Sequence, residues 1–117
     1  LHGNNVVYRD LKPKNVMMSI ALQGRLKLVD FGNAKILGKG DRTYTSCGTA
    51  VYIAPEVLTG EGHDHRVDIW ALGILICELI SGETPFQAPT VKQVYENISC
   101  GLMKFNNRIS KNTKSFC

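Results

Sequence analysis

One short run, Tyr8-Arg9-Asp10-Leu11-Lys12-Pro13-Lys14-Asn15, concentrates a carboxylate, several cations and an amide. Pro13 forbids a regular helix through it. A carboxylate flanked by Arg9 and Lys12 stays ionised and can accept a hydrogen bond from an incoming hydroxyl. Two strand-like runs follow, Val16-Met17-Met18 and Leu26-Lys27-Leu28-Val29, joined by a polar, glycine-containing link over residues 19–25. The pattern predicts a β-hairpin. In an antiparallel hairpin the residue before the first strand lies beside the residue after the second. That places Asn15 next to Asp30. An amide oxygen and a carboxylate meeting there suit a hard divalent cation such as Mg²⁺, shared with a phosphate.

Other elements must hold these groups in place. Residues 1–7 read as a helix end marked by Gly3, then a short extended piece. Residues 67–81 carry apolar side chains on nearly every face, which predicts a helix in the middle of a core. Gly82 is placed to cap it. The apolar run 69–80 contains Glu78 and is too short to span a bilayer, so no membrane span is expected. Pro55-Glu56-Val57-Leu58 reads as one helical turn opened by proline. Pro85-Phe86 closes a turn, and residues 91–98 read as an amphipathic helix. Residues 32–54, with Gly38, Gly40, Gly48 and many Ser and Thr, read as a flexible segment. His63 and His65 flank Asp64; a solvated loop is preferred to a metal pair, because no further ligands cluster nearby.

Composition narrows the classes. The chain has 117 residues, 44% hydrophobic and 21% charged, enough for one modest core. The net charge of +4 comes from scattered Lys and Arg, with few aromatic residues between them. No base-stacking platform stands out, so no nucleic-acid partner is expected. Cys47, Cys77, Cys100 and Cys117 lack metal-like spacing. Free thiols in a reducing compartment follow, with a cytoplasmic or nuclear location. The tail from Asn106 is polar and basic.

Arg9-Asp10-Leu11-Lys12-Pro13-x-Asn15, then Asp30-Phe31-Gly32, then Ala54-Pro55-Glu56 resemble, in that order, the C-terminal lobe of a eukaryotic protein kinase. Tyr-Arg-Asp-Leu-Lys-Pro and the run Arg42-Thr43-Tyr44-Thr45-Ser46-Cys47-Gly48-Thr49 are similar to the AGC group of serine/threonine kinases, which includes the cyclic-nucleotide-dependent kinases. The resemblance covers almost the whole chain and fades after about Gly101. It implies a kinase-like C-terminal lobe, mainly α-helical with a short β-hairpin and without the N-terminal β-lobe. Residues 1–117 are then a partial kinase domain, holding no glycine-rich phosphate loop. A fragment, inactive by itself, or a truncated gene product is expected. Loss of any of Asp10, Lys12, Asn15 or Asp30 would have favoured an inactive kinase-like scaffold; all are present.

The resemblance also implies roles. Asp10 becomes the catalytic base and Lys12 a neutraliser of charge on the transferring phosphoryl group, both acting on ATP and a protein Ser or Thr. Asn15 and Asp30 become Mg²⁺ ligands. Met17 falls beneath the adenine ring, or is simply a core residue. Tyr8 packs on Phe31, and Gly32 completes that motif. Thr49 hydrogen-bonds Asp10 and Lys12. Thr45 falls on the threonine phosphorylated by an upstream kinase or by autophosphorylation, its phosphate pairing with Arg9 and Lys35; an unmodified surface threonine is the alternative. Asp68 holds the catalytic-loop backbone, or is an acid favoured at a helix start. Glu56 is expected as a buried carboxylate whose arginine partner lies further downstream. Lys14 stands where relatives that select arginine carry Glu, and Ala50-Val51 where cyclic-nucleotide-dependent kinases carry Pro-Glu, while Glu78 remains. A weakened or inverted preference for upstream arginine follows.

Overall fold

The computed structural model describes residues 1–104. The polar tail from Asn106, and Cys117, lie outside the described residues. Strand β1 (Val6–Val7) leads into the catalytic-type loop, and β2 (Val16–Ser19) and β3 (Arg25–Leu28) form the hairpin. Strand β4 (Lys35–Ile36) follows, then helices α1 (Pro55–Thr59), α2 (Arg66–Ser81) and α3 (Val91–Ser99). Among the described residues no helix is long and apolar enough to cross a membrane.

The hairpin forms as expected, with a corrected register. Val16 pairs with Leu28 and Ser19 with Arg25. Val29 N–H then donates to Asn15 C=O at 3.0 Å, so Asn15 faces Val29 and not Asp30. The connecting turn sets this offset: Gln23 and Gly24 both adopt left-handed φ, 54° and 80°, closing the link on the Ser19–Arg25 pair. Asp30 lies one residue further out, itself at φ 59°.

A second sheet escaped the sequence pattern. β1 and β4 pair antiparallel, Val6 with Ile36 and Val7 with Lys35. Two-residue strands are too short to show a period. Their effect is to tie the segment after Asp30-Phe31-Gly32 to the entry of the catalytic-type loop. The region read as flexible is pinned again by an exchange of two main-chain hydrogen bonds, both 2.9 Å, between Thr43 and His63. This overturns the solvated-loop reading of His63, which is buried at 4% exposure. His65 does lie at the surface, with its ring against that of His2.

Helix α2 is capped by Gly82 at φ 82°, whose N–H donates to Glu78 C=O at 2.7 Å. Its buried face carries Val67, Ala71, Ile74, Leu75 and Cys77. Tyr52, Phe86, Val94 and Ile98 close over part of that face, with Trp70 stacked on Phe86. Each fully buried large apolar side chain of this cluster contributes roughly 1.5–3 kcal/mol. The expectation of burial on all sides fails. Ile69 is 58% exposed, Leu79 72% and Ile80 51%. Among the described residues, packing elements reach α2 from one side only. α3 is amphipathic as expected, and its Thr90 hydroxyl accepts from Gln93 N–H at 3.3 Å as an N-cap.

Candidate active site

The site is built where the loop 8–15 crosses the start of α2. Asp68, in the first turn of α2, is buried. Its carboxylate accepts from Tyr8 N–H at 2.8 Å and Arg9 N–H at 2.7 Å. His2 Nε2 lies 2.7 Å from the same carboxylate. Both roles foreseen for Asp68 hold: it sits at a helix start and it grips the loop backbone. The grip has a physical purpose. Arg9 adopts φ 66°, a left-handed conformation that costs a non-glycine residue on the order of 1–3 kcal/mol unless its surroundings impose it. The paired amide bonds to Asp68 impose it, and they turn Asp10 inward.

Asp10 is 7% exposed. Lys12 Nζ donates to its two oxygens at 3.1 and 2.9 Å, and Thr49 Oγ1 donates at 3.0 Å. Lys12 Nζ also donates to Thr49 Oγ1 at 2.8 Å. Asn15 Nδ2 donates to Asp10 C=O at 2.9 Å and reaches its carboxylate at 3.3 Å. Burial works to raise the Asp10 carboxyl. The hydrogen bonds from Lys12 and Thr49, with the Lys12 charge and Asn15, outweigh it and hold the group below its ordinary value. Asp10 is therefore an acceptor throughout the neutral range. The implied contact of Thr49 with both residues is present.

Thr49 reaches the loop only because Gly48 precedes it. Gly48 has φ 109°, and a Cβ there would meet the Arg9 carbonyl oxygen at 2.8 Å. Gly48→Ala should therefore cost about 1–3 kcal/mol in strain and push Thr49 off Lys12. The check is thermal unfolding alongside kcat. Wild-type values for both would refute this packing.

Tyr8 lies beneath the hairpin. Its hydroxyl donates to Val29 C=O, and its ring meets Phe31 edge-on at 5.2 Å between centroids, as the resemblance implied. Burial, then the carboxylates Asp10 and Asp30, push the phenol up, so it stays a neutral donor. Asp30 is exposed and its carboxylate accepts from Gly32 N–H at 3.2 Å. Asn15 is buried and spends its amide nitrogen on Asp10, which leaves its oxygen free to act as a ligand. An amide oxygen and a carboxylate suit a hard cation such as Mg²⁺, so these residues fit one. Met17, paired with Lys27 on the hairpin, is 54% exposed rather than in the core.

Other residues fall less as foreseen. Thr45 is exposed, and in the unmodified chain Lys35 Nζ donates at 3.0 Å to the Thr43 hydroxyl. Arg9 uses Nε on Asn33 C=O at 2.6 Å. Glu56 is half-buried, not buried, and pairs with no cation among the described residues. It lies on the short helix α1 at the rim of a groove that also exposes Arg66. Its unpaired carboxylate thus costs less than a fully buried one would. Glu78 accepts a hydrogen bond from the Tyr52 hydroxyl, and Lys14 is exposed beside the loop. His2 and Gly48 belong to the site, although the sequence reading assigned neither a role in it. The separation of 66 residues between His2 and Asp68 carries no local signal.

Comparison with known proteins agrees with this geometry. The family described as the protein kinase domain matches residues 1–117. The chain is 48% identical over 113 residues to cGMP-dependent protein kinase, isozyme 1, of Drosophila melanogaster, covering 95% of this chain and 14% of that protein. It is 47% identical over 106 residues to human cGMP-dependent protein kinase 2, covering 91% and 14%. Against a cAMP-dependent protein kinase catalytic subunit-like protein of Caenorhabditis briggsae it is 50% identical over 105 residues, covering 90% and 26%. The chain thus spans a small part of the length of these relatives. With its motifs, its loop geometry and its match to the family all in agreement, the chain belongs to the protein kinase family.

Proposed function

We propose that the protein carrying this chain is a serine/threonine kinase that moves the γ-phosphoryl group of ATP to a protein hydroxyl. The observation that supports this most is the cluster of Asp10, Lys12 and Thr49, with an ionised carboxylate held at the loop. Asp10 orients the substrate hydroxyl and accepts its proton as oxygen attacks phosphorus and the bond to the leaving ADP breaks. Lys12 spends its three N–H donors on Asp10 and Thr49 and offsets charge on the transferring group through its positive charge. Asn15 and Asp30 would hold Mg²⁺, which would neutralise charge on the phosphates. Phosphorylation of Thr45, by an upstream kinase or by the protein itself, switches the enzyme on; Arg9 and Lys35 are the cations that receive the phosphate.

Substrate choice follows from charge. Glu78 is tied to Tyr52, and Lys14 presents a cation near the loop. A like-charge contact near a surface costs on the order of 1–4 kcal/mol before salt screening. Arginine just before the target residue is therefore disfavoured. The test is a peptide array with labelled ATP-Mg on the full-length protein, wild type against Lys14→Glu. Label on Ser and Thr peptides, with upstream arginine gaining about tenfold in the variant, is the expected result. An array without labelled Ser or Thr sinks the kinase reading. Strong arginine selection that Lys14→Glu leaves untouched sinks only the specificity.

A further inference from the structure

The exchange of main-chain hydrogen bonds between Thr43 and His63 has a geometric consequence. In such an antiparallel pair the two side chains leave on the same face. On that face the Thr43 hydroxyl already accepts from Lys35 Nζ at 3.0 Å. Arg9 and His63 line one small cavity, and the charge of Arg9 opposes a second cation there. Arg9 is anchored by Nε on Asn33 C=O, yet its Nη1 is buried without a partner. Two residues beyond Thr43, Thr45 is exposed. A guanidinium with an idle donor, an ammonium and a buried imidazole thus meet beside the segment that carries Thr45.

Two carboxylates also face His63: Glu56 from α1 and Asp64 from its own loop. Asp64 is committed to Arg66, accepting from its Nε at 3.0 Å and its N–H at 2.9 Å. Neither supplies an acceptor for the idle Arg9 nitrogen, and a phosphate would.

We infer that His63 is a positioning residue of the phosphate cradle, holding a phosphorylated Thr45 together with Arg9 and Lys35. This rests on the Thr45 reading above. In the unmodified chain burial, then Arg9, keeps the imidazole below its ordinary pKa and neutral at pH 7. A phosphate brings about −1.5 to −2 charge and reverses the local sign. The imidazole then takes one proton from solvent and donates to a phosphate oxygen as imidazolium. The sign is fixed: phosphate raises the His63 pKa, so its contribution is fullest at lower pH and is lost as pH rises through the raised value.

The experiment uses full-length protein phosphorylated on Thr45, as wild type and His63→Gln, with both repeated on Thr45→Ala. The expected result is a loss of about tenfold in kcat for His63→Gln at pH 6.5 that shrinks at pH 8.5. On the Thr45→Ala background His63→Gln should add nothing. Equal loss on both backgrounds and at both pH values overturns the proposal, because it marks a purely structural role. A second measurement needs no substitution: NMR titration of the His63 ring should give a higher pKa with phosphate on Thr45 than after phosphatase treatment. An unchanged pKa overturns the proposal. If Thr45→Ala costs activity while His63→Gln does not, only the His63 role falls. If Thr45→Ala leaves the rate unchanged, the switch reading falls and this inference with it.

Discussion

Replacing Asp10 or Asp30 by alanine in the full-length protein should lower the rate of phosphoryl transfer by roughly a thousandfold. The two losses have different causes and different signatures. Asp10→Ala removes the acceptor proposed to orient the attacking hydroxyl, and it leaves Lys12 Nζ, which donates to both Asp10 oxygens, with Thr49 alone of these partners. The loss should fall on kcat, with ATP binding little changed, because the interaction is made at the reacting atoms. Asp30→Ala removes a carboxylate that is exposed beside the hairpin and tied only to Gly32 N–H. Little stability depends on it, so its loss should appear as a weakened Mg²⁺ dependence with unfolding unaffected. Steady-state assays across Mg²⁺ concentrations separate the two. Turnover near wild type in either variant refutes the corresponding role.

Asp68→Ala is expected to cost about a hundredfold in kcat although Asp68 touches no reacting group. Its carboxylate satisfies the amides of Tyr8 and Arg9 in a buried setting. Each amide left without an acceptor costs about 1–3 kcal/mol. The loop relieves this most cheaply by letting Arg9 leave its left-handed conformation at φ 66°. That movement swings Asp10 away, and a shift near 1 Å in a catalytic group costs about 10²-fold. Asp68→Asn keeps one oxygen acceptor and should lose less. Thermal unfolding and kcat, measured together on both variants, decide the matter. A normal kcat in Asp68→Ala would show that the loop holds its shape unaided.

The pH behaviour of Asp10 bears on the same loop. Its carboxyl is held below the ordinary value by Lys12 and Thr49 despite burial. A lowered folded-state pKa contributes stability above the unfolded value and loses it as pH falls through the folded one. The loop is thus secure through the neutral range and loosens only in acid.

The sequence by itself determined the local features of this protein. The long apolar run of residues 67–81 and the glycine after it marked α2, observed over Arg66–Ser81, because helix formation and capping depend on neighbours in the chain. Alternating strand-formers around a turn fixed the hairpin, and the ordered motifs fixed the family. The predicted hairpin suggested Asn15 and Asp30 as a cation site, and the resemblance implied the roles of Asp10 and Lys12. Tertiary structure decided what depends on contacts between distant segments. The pairing of β1 with β4, the bridge between Thr43 and His63, and the hydrogen bond from Lys35 to Thr43 join segments with no shared period. The hairpin register turned on two left-handed residues in a link whose composition fits several turns. The side of α2 left uncovered among the described residues makes the same point: a sequence shows that a face is apolar, but only the placement of other elements determines whether anything covers it.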